Sequence, residues 1–312
     1  MNRHYFIGLQ CCVVFVTALG ASSIALANPR WSDFGPATAV LDTANSVAGG
    51  CPIESRDGLS IYTASSSSGG EGGLDIWVAH RSAKDAAFGM AENLGAPVNS
   101  PYNDYCPTPV NGKYLFFVST RPAGPDGVAC GGGDIYLTRD NPAHGWDAPL
   151  NLGCMETGDG VNTSGGEFSP SLVEAGGNVY LYFSSDYTGN HDIYVSIMQP
   201  DGSFPPGTAV SELNTESDDR MPNVSKDGLE IVFASSRPTW GGGQAAFGSF
   251  DIYYASRNHL DEPFSEPVNL GAGINTADSE TRSSFSWDGE RVNFGRGGEI
   301  YVTEREKLRG KK

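Results

Sequence analysis

Short apolar runs, each behind a turn-forming pair, recur five times along this chain. Leu59–Thr63, Tyr114–Val118, Val179–Phe183, Leu229–Ala234 and Arg291–Phe294 are apolar or alternating. They follow Asp57-Gly58, Asn111-Gly112, Gly176-Gly177, Asp227-Gly228 and Asp288-Gly289 respectively. Alternation over four to six residues suits a half-buried strand, and a fully apolar run between turns suits a buried one. The Gly-containing pairs permit the positive φ angles of a two-residue hairpin. The pattern predicts a strand, a tight turn and a second strand, five times over.

Three further markers keep the same register. Asp-Ile-aromatic stands at Asp75-Ile76-Trp77, Asp134-Ile135-Tyr136, Asp192-Ile193-Tyr194 and Asp251-Ile252-Tyr253, with Glu299-Ile300-Tyr301 as a variant. Spacings of 59, 58, 59 and 48 residues separate them. Proline-containing segments open four units, at Cys51-Pro52, Cys106-Pro107, Ser169-Pro170 and Met221-Pro222, and Ser283-Ser284 opens the fifth. An aromatic followed by an Asn-Leu or Glu-Leu pair closes a unit, as in Phe88 to Leu94, Trp146 to Leu152, Phe204 to Leu213 and Phe264 to Leu270. Each unit therefore reads as four strands, a to d. Four strands recurring every 40–60 residues is the signature of propeller blades. The fifth unit stops before strand d, and residues 31–45, where Trp31-Ser32-Asp33 matches Phe264-Ser265-Glu266, are expected to supply it and close the ring. The expected fold is all-β: one five-bladed propeller over residues 28–312, with blades starting near 51, 106, 169, 221 and 283.

The runs Phe117-Val118-Ser119-Thr120-Arg121 to Tyr136 and Ser225-Lys226-Asp227-Gly228 to Tyr253 carry a family likeness. They resemble the WD40-like propeller repeat of TolB-type proteins, over nearly all of residues 28–312. The resemblance implies a propeller. Its members include periplasmic scaffolds, propellers joined to peptidases and carbohydrate-active enzymes.

In such a blade the d–a and b–c connections share one face, here called the top. Three residues before each Pro position stand Asp104, Glu167, Asp219 and, in blade 5, Glu280, with Gly49 in blade 1. Repeat symmetry gathers these acids into a partial ring at the channel mouth, open at blade 1. Strand b ends in Arg121, Arg237 and Arg296, with Asp186 at that place in blade 3 and Ser67 in blade 1. An arginine fork fits a carboxylate, so an acid can pair with the arginine of the neighbouring blade and lock the ring. Acids left free would bind a cation, sugar hydroxyls or a basic peptide, and clustered carboxylates raise one another's pKa. Asp104, Glu167, Asp219, Glu280, Arg121, Arg237 and Arg282 are the candidate ligand-binding residues. Trp240, on the Gly-rich top loop 238–250, joins them as a stacking platform.

Composition and charge narrow the ligand. With 20 Lys+Arg against 37 Asp+Glu, the net charge of −17 repels phosphate backbones and anionic lipid. Nucleic acid is not an expected partner. Residues 1–27 have a basic start, an apolar stretch and the end Ala25-Leu26-Ala27, which reads as an export signal. No later segment is apolar for the ~20 residues of a membrane helix. The expected location is the periplasm or outside the cell, with no membrane insertion after cleavage and a monomeric state. Cys51, Cys106, Cys130 and Cys154 then allow up to two disulfides in three connectivities. The blade register favours Cys130–Cys154 and Cys51–Cys106. His80, His144, His191 and His259 are scattered singly and read as surface residues. No metal site or cofactor is expected, calcium on clustered acids being a weak signal.

Two functions fit. The first is an exported binding or scaffold propeller for a cell-envelope protein, peptide or glycan. The second is a glycoside hydrolase-like enzyme using two channel carboxylates, which must lie ~5–5.5 Å apart for retention or ~6.5–9.5 Å for inversion. No nucleophile elbow, phosphate loop or zinc motif is present, and the chain leans away from catalysis.

Overall fold

The computed structural model describes residues 30–40, 48–122, 129–240 and 243–308; the expected export signal lies outside them. Each repeat becomes one four-stranded antiparallel sheet, and five sheets form a ring. Written from strand a to strand d, blade 1 is Gly50–Glu54, Ser60–Ser65, Asp75–His80 and Glu92–Asn93. Blade 2 is Asp104–Val110, Tyr114–Ser119, Asp134–Asn141 and Leu150–Asn151, with the extra strand Gly145–Trp146. Blade 3 is Glu167–Ala175, Asn178–Ser185, Asp192–Ile197 and Thr208–Ala209. Blade 4 is Asp219–Val224, Glu230–Ser235, Asp251–Ser256 and Val268–Asn269. Blade 5 is Glu280–Phe285, Arg291–Arg296, Glu299–Glu304 and, from the N-terminal side, Thr38–Ala39.

Ring closure comes from Thr38 opposite Val302 and Ala39 opposite Tyr301. The register corrects the sequence match by three residues. Gly35 N donates to Glu304 O as Ser265 N does to Ser256 O, so Phe34, not Trp31, is the counterpart of Phe264. Residues 41–47 of the expected closing segment lie outside the described residues. The apolar runs pack between blades rather than within them. Ile76 and Val98 meet Leu115, Phe117 and Tyr136 across blades 1 and 2, and Val173 and Ile193 meet Ile231 and Phe233 across blades 3 and 4. Each fully buried Ile or Phe contributes about 1.5–3 kcal/mol.

The a–b turns also differ from expectation. Only Asn111-Gly112 and Gly176-Gly177 have both residues at positive φ, and only the second pair makes a two-residue hairpin. In blades 1, 4 and 5 a Ser and an Asp side chain build a longer turn. Asp57 accepts from Ser55 Oγ and Leu59 N, and Asp227 accepts from Ser225 Oγ and Leu229 N. Asp288 accepts likewise from Ser286 Oγ and Glu290 N.

Every strand a breaks register once, at Cys51, Cys106, Ser169, Met221 and Arg282, each with φ between 43° and 58°. Positive φ is uncommon for residues with a Cβ, and its recurrence in all five blades marks a built-in bulge. In four blades the next residue is Pro, which has no N–H to give to a sheet, so the bulge leaves no ladder donor stranded. At these bulges blades 1 and 2 are joined by the Cys51–Cys106 disulfide, Cα–Cα 4.9 Å. The second disulfide, Cys130–Cys154 with Cα–Cα 5.5 Å, ties the b–c loop of blade 2 to the segment after its strand d.

Candidate functional site

The acids open strand a at its top end. Asp104, Glu167 and Asp219 face Ser119, Ser185 and Ser235 of strand b, and Glu280 faces Arg296. All four acids are 0% exposed. Four residues upstream, a Ser or Thr gives each acid both its N–H and its hydroxyl. Ser100 serves Asp104 at 2.7 Å from each atom, and Thr215 serves Asp219 at 2.7 and 2.6 Å. Thr163 and Thr276 do the same for Glu167 and Glu280.

Three acids are ion-paired. Arg121 meets Asp104 at 2.7 Å, Arg237 meets Asp219 at 2.5 Å and Arg296 meets Glu280 at 2.7 Å. The pairs form inside a blade, not between neighbouring blades. Each arginine still ties the ring, because it also donates to a carbonyl of the incoming d–a connection: Val98, Leu213 or Ile274. Each guanidinium lies over two rings of its own blade, for example Phe233 and Tyr253 under Arg237. Burial pushes the Glu280 carboxyl up, while Thr276 and Arg296 pull it back.

Blade 3 lacks the arginine. Its Glu167 Oε1 accepts from Thr163 and from Ser185 Oγ at 2.9 Å, and Oε2 has no hydrogen-bond partner among the described residues. Burial raises its pKa to about 8, so it stays protonated at neutral pH. The register puts Tyr187, not Asp186, at the arginine's place. Tyr187 N donates to Ser185 Oγ at 3.2 Å as Arg121 N does to Ser119 Oγ and Arg237 N to Ser235 Oγ. The Tyr187 side chain is 44% exposed, pointing to solvent. Asp186 binds Gly166 N instead. In blade 1 the opening of the acid ring is dictated by backbone. Gly49 has φ +116°, and a Cβ there would lie 2.1 Å from Ala64 O.

Other predicted residues separate from this ring. Arg282 lies at the blade 5 bulge, fully buried, and crosses to blade 2, where Nη2 donates to Thr108 Oγ1 at 3.1 Å and Pro107 O at 3.3 Å. Trp240 falls in a hairpin of Thr239–Trp240 with Gln244–Ala245 on the b–c loop of blade 4; its side chain lies outside what is described.

What sequence reasoning missed is an arc of side chains beside the acids. In blades 2 to 4 the residues after the acids, Tyr105, Phe168 and Arg220, pack with one another or with the residues before two of the Asp-Ile-Tyr markers, His191 and Phe250. Tyr105 and Phe168 lie 5.4 Å apart between ring centres, and Phe168 meets His191 edge-on at 4.9 Å. Arg220 follows, stacked 3.7 Å over Phe250. Tyr105, Phe168, Arg220 and Phe250 are half-buried; His191 is buried rather than a surface residue, and burial lowers its pKa. Exposed Tyr102, Tyr187 and Phe247 stand on the same face. The signal was present in register: these rings flank markers already used for strands a and c.

A second recurrent feature explains the upstream hydroxyls. Asn99, Asn162, Asn214 and Asn275 each hold both the N–H and the C=O of the Ile in Asp-Ile-aromatic. An apolar-Asn-Ser/Thr triplet thus pins the d–a connection and caps the acid. A cavity of about 630 Å³ lies on the opposite face between blades 4 and 5, where Glu230 and Arg305 already satisfy each other at 2.7 and 2.8 Å. Among the described residues no cluster of His, Cys, Asp and Glu suits a metal ion, and no helix is long and apolar enough to cross a membrane.

The fold and site define a five-bladed β-propeller with disulfides of the kind found in oxidising compartments. No family model matches the chain, and no curated protein matches it. Solved structures do. The α-L-arabinofuranosidase of Lactobacillus brevis superposes with TM-score 0.51 at 13% identity, over 86% of this chain and 94% of that one. The GH43 endo-arabinanase of Bacillus licheniformis gives 0.51 at 14%, over 87% and 98%. An Agrobacterium tumefaciens protein assigned as a TolB gives 0.50 at 15%, over 86% and 78%. At these identities the likeness shows the propeller fold, shared by sugar hydrolases and a TolB-type protein alike.

Proposed function

We propose that this chain is an exported binding propeller of the periplasm or cell exterior, whose top face takes a cell-envelope peptide, protein or glycan. The observation that carries this reading is the arc of half-buried Tyr105, Phe168, Arg220 and Phe250, backed by buried His191, across blades 2 to 4. Rings and a guanidinium plane offer stacking area with few torsions to freeze, which suits a sugar ring or a peptide side chain. Tyr102, Tyr187 and Phe247 extend that surface, and net negative charge favours a neutral or basic ligand. The ring acids serve this face as scaffold, since three are tied to arginine.

Glu167 supports the hydrolytic alternative in one respect, because a pKa near 8 suits a general acid. It lies fully buried, and the other ring acids that would supply the second carboxylate are held by arginine. The test is titration of the wild type and of Phe168→Ala/Arg220→Ala with arabino- and xylo-oligosaccharides, peptidoglycan fragments and basic peptides. Binding by wild type that weakens at least tenfold in the double variant, with the ligand recovered intact, supports the binding reading. Cleavage of a glycan that is lost in Glu167→Gln supports the hydrolase. Equal binding by wild type and double variant overturns the assignment to this arc.

A further inference from the structure

The seam where the ring closes leaves a cleft on the underside. Strands c and d of blade 5 come from opposite ends of the chain, so no loop joins them as residues 81–91 join those of blade 1. Residues 30–34 run instead beside 304–308, with Ser32 N donating to Glu306 O and Leu308 N to Arg30 O, each at 2.9 Å. Between this segment and strands c and d of blade 4 lies the cavity of about 630 Å³. The equivalent cleft one blade on, between blades 5 and 1, holds about 200 Å³. One ion pair straps each cleft to the a–b turn of the preceding blade: Arg30 to Asp227 at 2.6 Å in the first, Lys84 to Asp288 at 2.7 Å in the second. Only the larger cleft falls within the ~300–1,000 Å³ of small-ligand sites.

Its walls mix rings with polar groups, and their charges cancel. Arg305 holds both oxygens of Glu230, Tyr254 Oη donates to Glu230 Oε1 at 2.7 Å, and the Arg305 guanidinium lies 4.4 Å over Trp31 and 4.7 Å over Phe34. Arg30 is neutralised by Asp227. The lining residues left over are Asp33 and Arg257, of opposite sign, and the neutral Asn258. Asp33 and Asn258 are exposed, and their side chains have no hydrogen-bond partner among the described residues. An ionic ligand finds no excess of opposite charge on these walls. A lipid chain would cover their carboxylate, amide and hydroxyl groups without satisfying them. We infer that the cleft is a second ligand site and takes a neutral sugar, a short uncharged glycan. A sugar ring offers apolar C–H faces to half-buried Trp31, Phe34 and Tyr254. Its hydroxyls both donate and accept, as the Asp33 carboxylate and the Asn258 amide require. The cleft shares no residue with the top-face arc, so it is independent of the ligand there. A sugar held in it would bridge blade 4 to the closing segment, whose strand d pairs through only Thr38 and Ala39, and would thereby stabilise ring closure.

Calorimetric titration with arabinotriose, xylotriose and maltotriose tests this, using wild type, the top-face variant Phe168→Ala/Arg220→Ala and the cleft variant Asp33→Ala/Asn258→Ala. Both cleft substitutions are at exposed positions, which leaves folding intact. At least one of the three sugars should bind the wild type with a Kd below roughly 10 mM. Its affinity should be unchanged in the top-face variant and about tenfold weaker in the cleft variant. The bound sugar should also slow amide exchange across residues 30–40 of the wild type. Failure of all three sugars to bind overturns the proposal. So does binding that the cleft variant leaves unchanged or that the top-face variant abolishes, since the sugar then sits elsewhere. Tighter binding of trigalacturonate than of every neutral sugar overturns the assignment of ligand class.

Discussion

Blades 3 and 4 carry the same acid position, the same strand b serine and the same upstream threonine, yet their acids differ in charge. In blade 4, Arg237 lies on Phe233 and Tyr253 and holds Asp219 at 2.5 Å. In blade 3 the equivalent rings, Phe183 and Tyr194, stack 5.8 Å apart, and Tyr187 leaves for solvent where the arginine would turn inward. One side chain thus decides whether a buried carboxyl is an ion or a neutral acid. In both blades the upstream threonine satisfies one oxygen; Ser185 adds a second donor to Glu167, whereas Ser235 accepts from Arg237. Repeat symmetry fixes where an acid sits; burial raises the carboxyl in blades 3 and 5 alike, and in blade 5 the arginine pulls it back.

Removing the cation where it exists is the strongest way to break this contrast. Arg237→Ala strands Asp219 in the interior and should cost about 3–5 kcal/mol in urea unfolding at pH 7. Glu167→Gln, which keeps the shape and removes the titrating group, should instead be more stable than wild type at that pH, because the unfolded wild-type chain is already ionised there.

The next effect is on pH dependence. Glu167 binds its proton up to about pH 8 in the folded state, whereas the unfolded chain releases it near 4.5. Between those values folding takes up a proton. Its stabilising contribution is therefore complete below about pH 4.5 and is lost as pH rises toward 8, at about 1.4 kcal/mol per pH unit. The stability of Glu167→Gln relative to wild type should rise along that slope between pH 5 and 8 and level off above it. A parallel pair of stability curves would show that Glu167 is already ionised.

The smallest and most constructive change is Tyr187→Arg. It places an arginine at the backbone position that Arg121 and Arg237 occupy, over the stacked Phe183 and Tyr194. A gain of about 1–2 kcal/mol is expected at pH 8, together with a fall in the Glu167 pKa. No gain would mean that the 186–189 turn cannot direct a side chain inward as blades 2 and 4 do.

The fold was legible because its signals repeat. Turn pairs, Asp-Ile-aromatic and the Pro segments lie in one register, and five weak strand signals support one another. Ring closure was visible too, although Trp31 drew the match three residues off Phe34. The site was less legible. Spacing located the acids and arginines but put Asp186 where Tyr187 stands, since only the Ser185 hydrogen bond sets the register. The aromatic arc was hidden for another reason. Tyr105, Phe168, His191 and Phe250 flank the strand markers but are drawn from three repeats, and only the packing of blade on blade brings them together. Arg282 was singled out from sequence as a ligand residue; that it spans the axis required the bulge, whose positive φ no residue type at that position announces.

The most direct test of the contrast between blades is a carbon-13 NMR titration of the protein labelled at its glutamate side-chain carboxyls. One signal with a midpoint near pH 8, absent in Glu167→Gln and shifted down in Tyr187→Arg, is the expected result. If every glutamate signal titrates below about pH 6, Glu167 is ionised at neutral pH, and the distinction between blade 3 and its arginine-bearing neighbours fails.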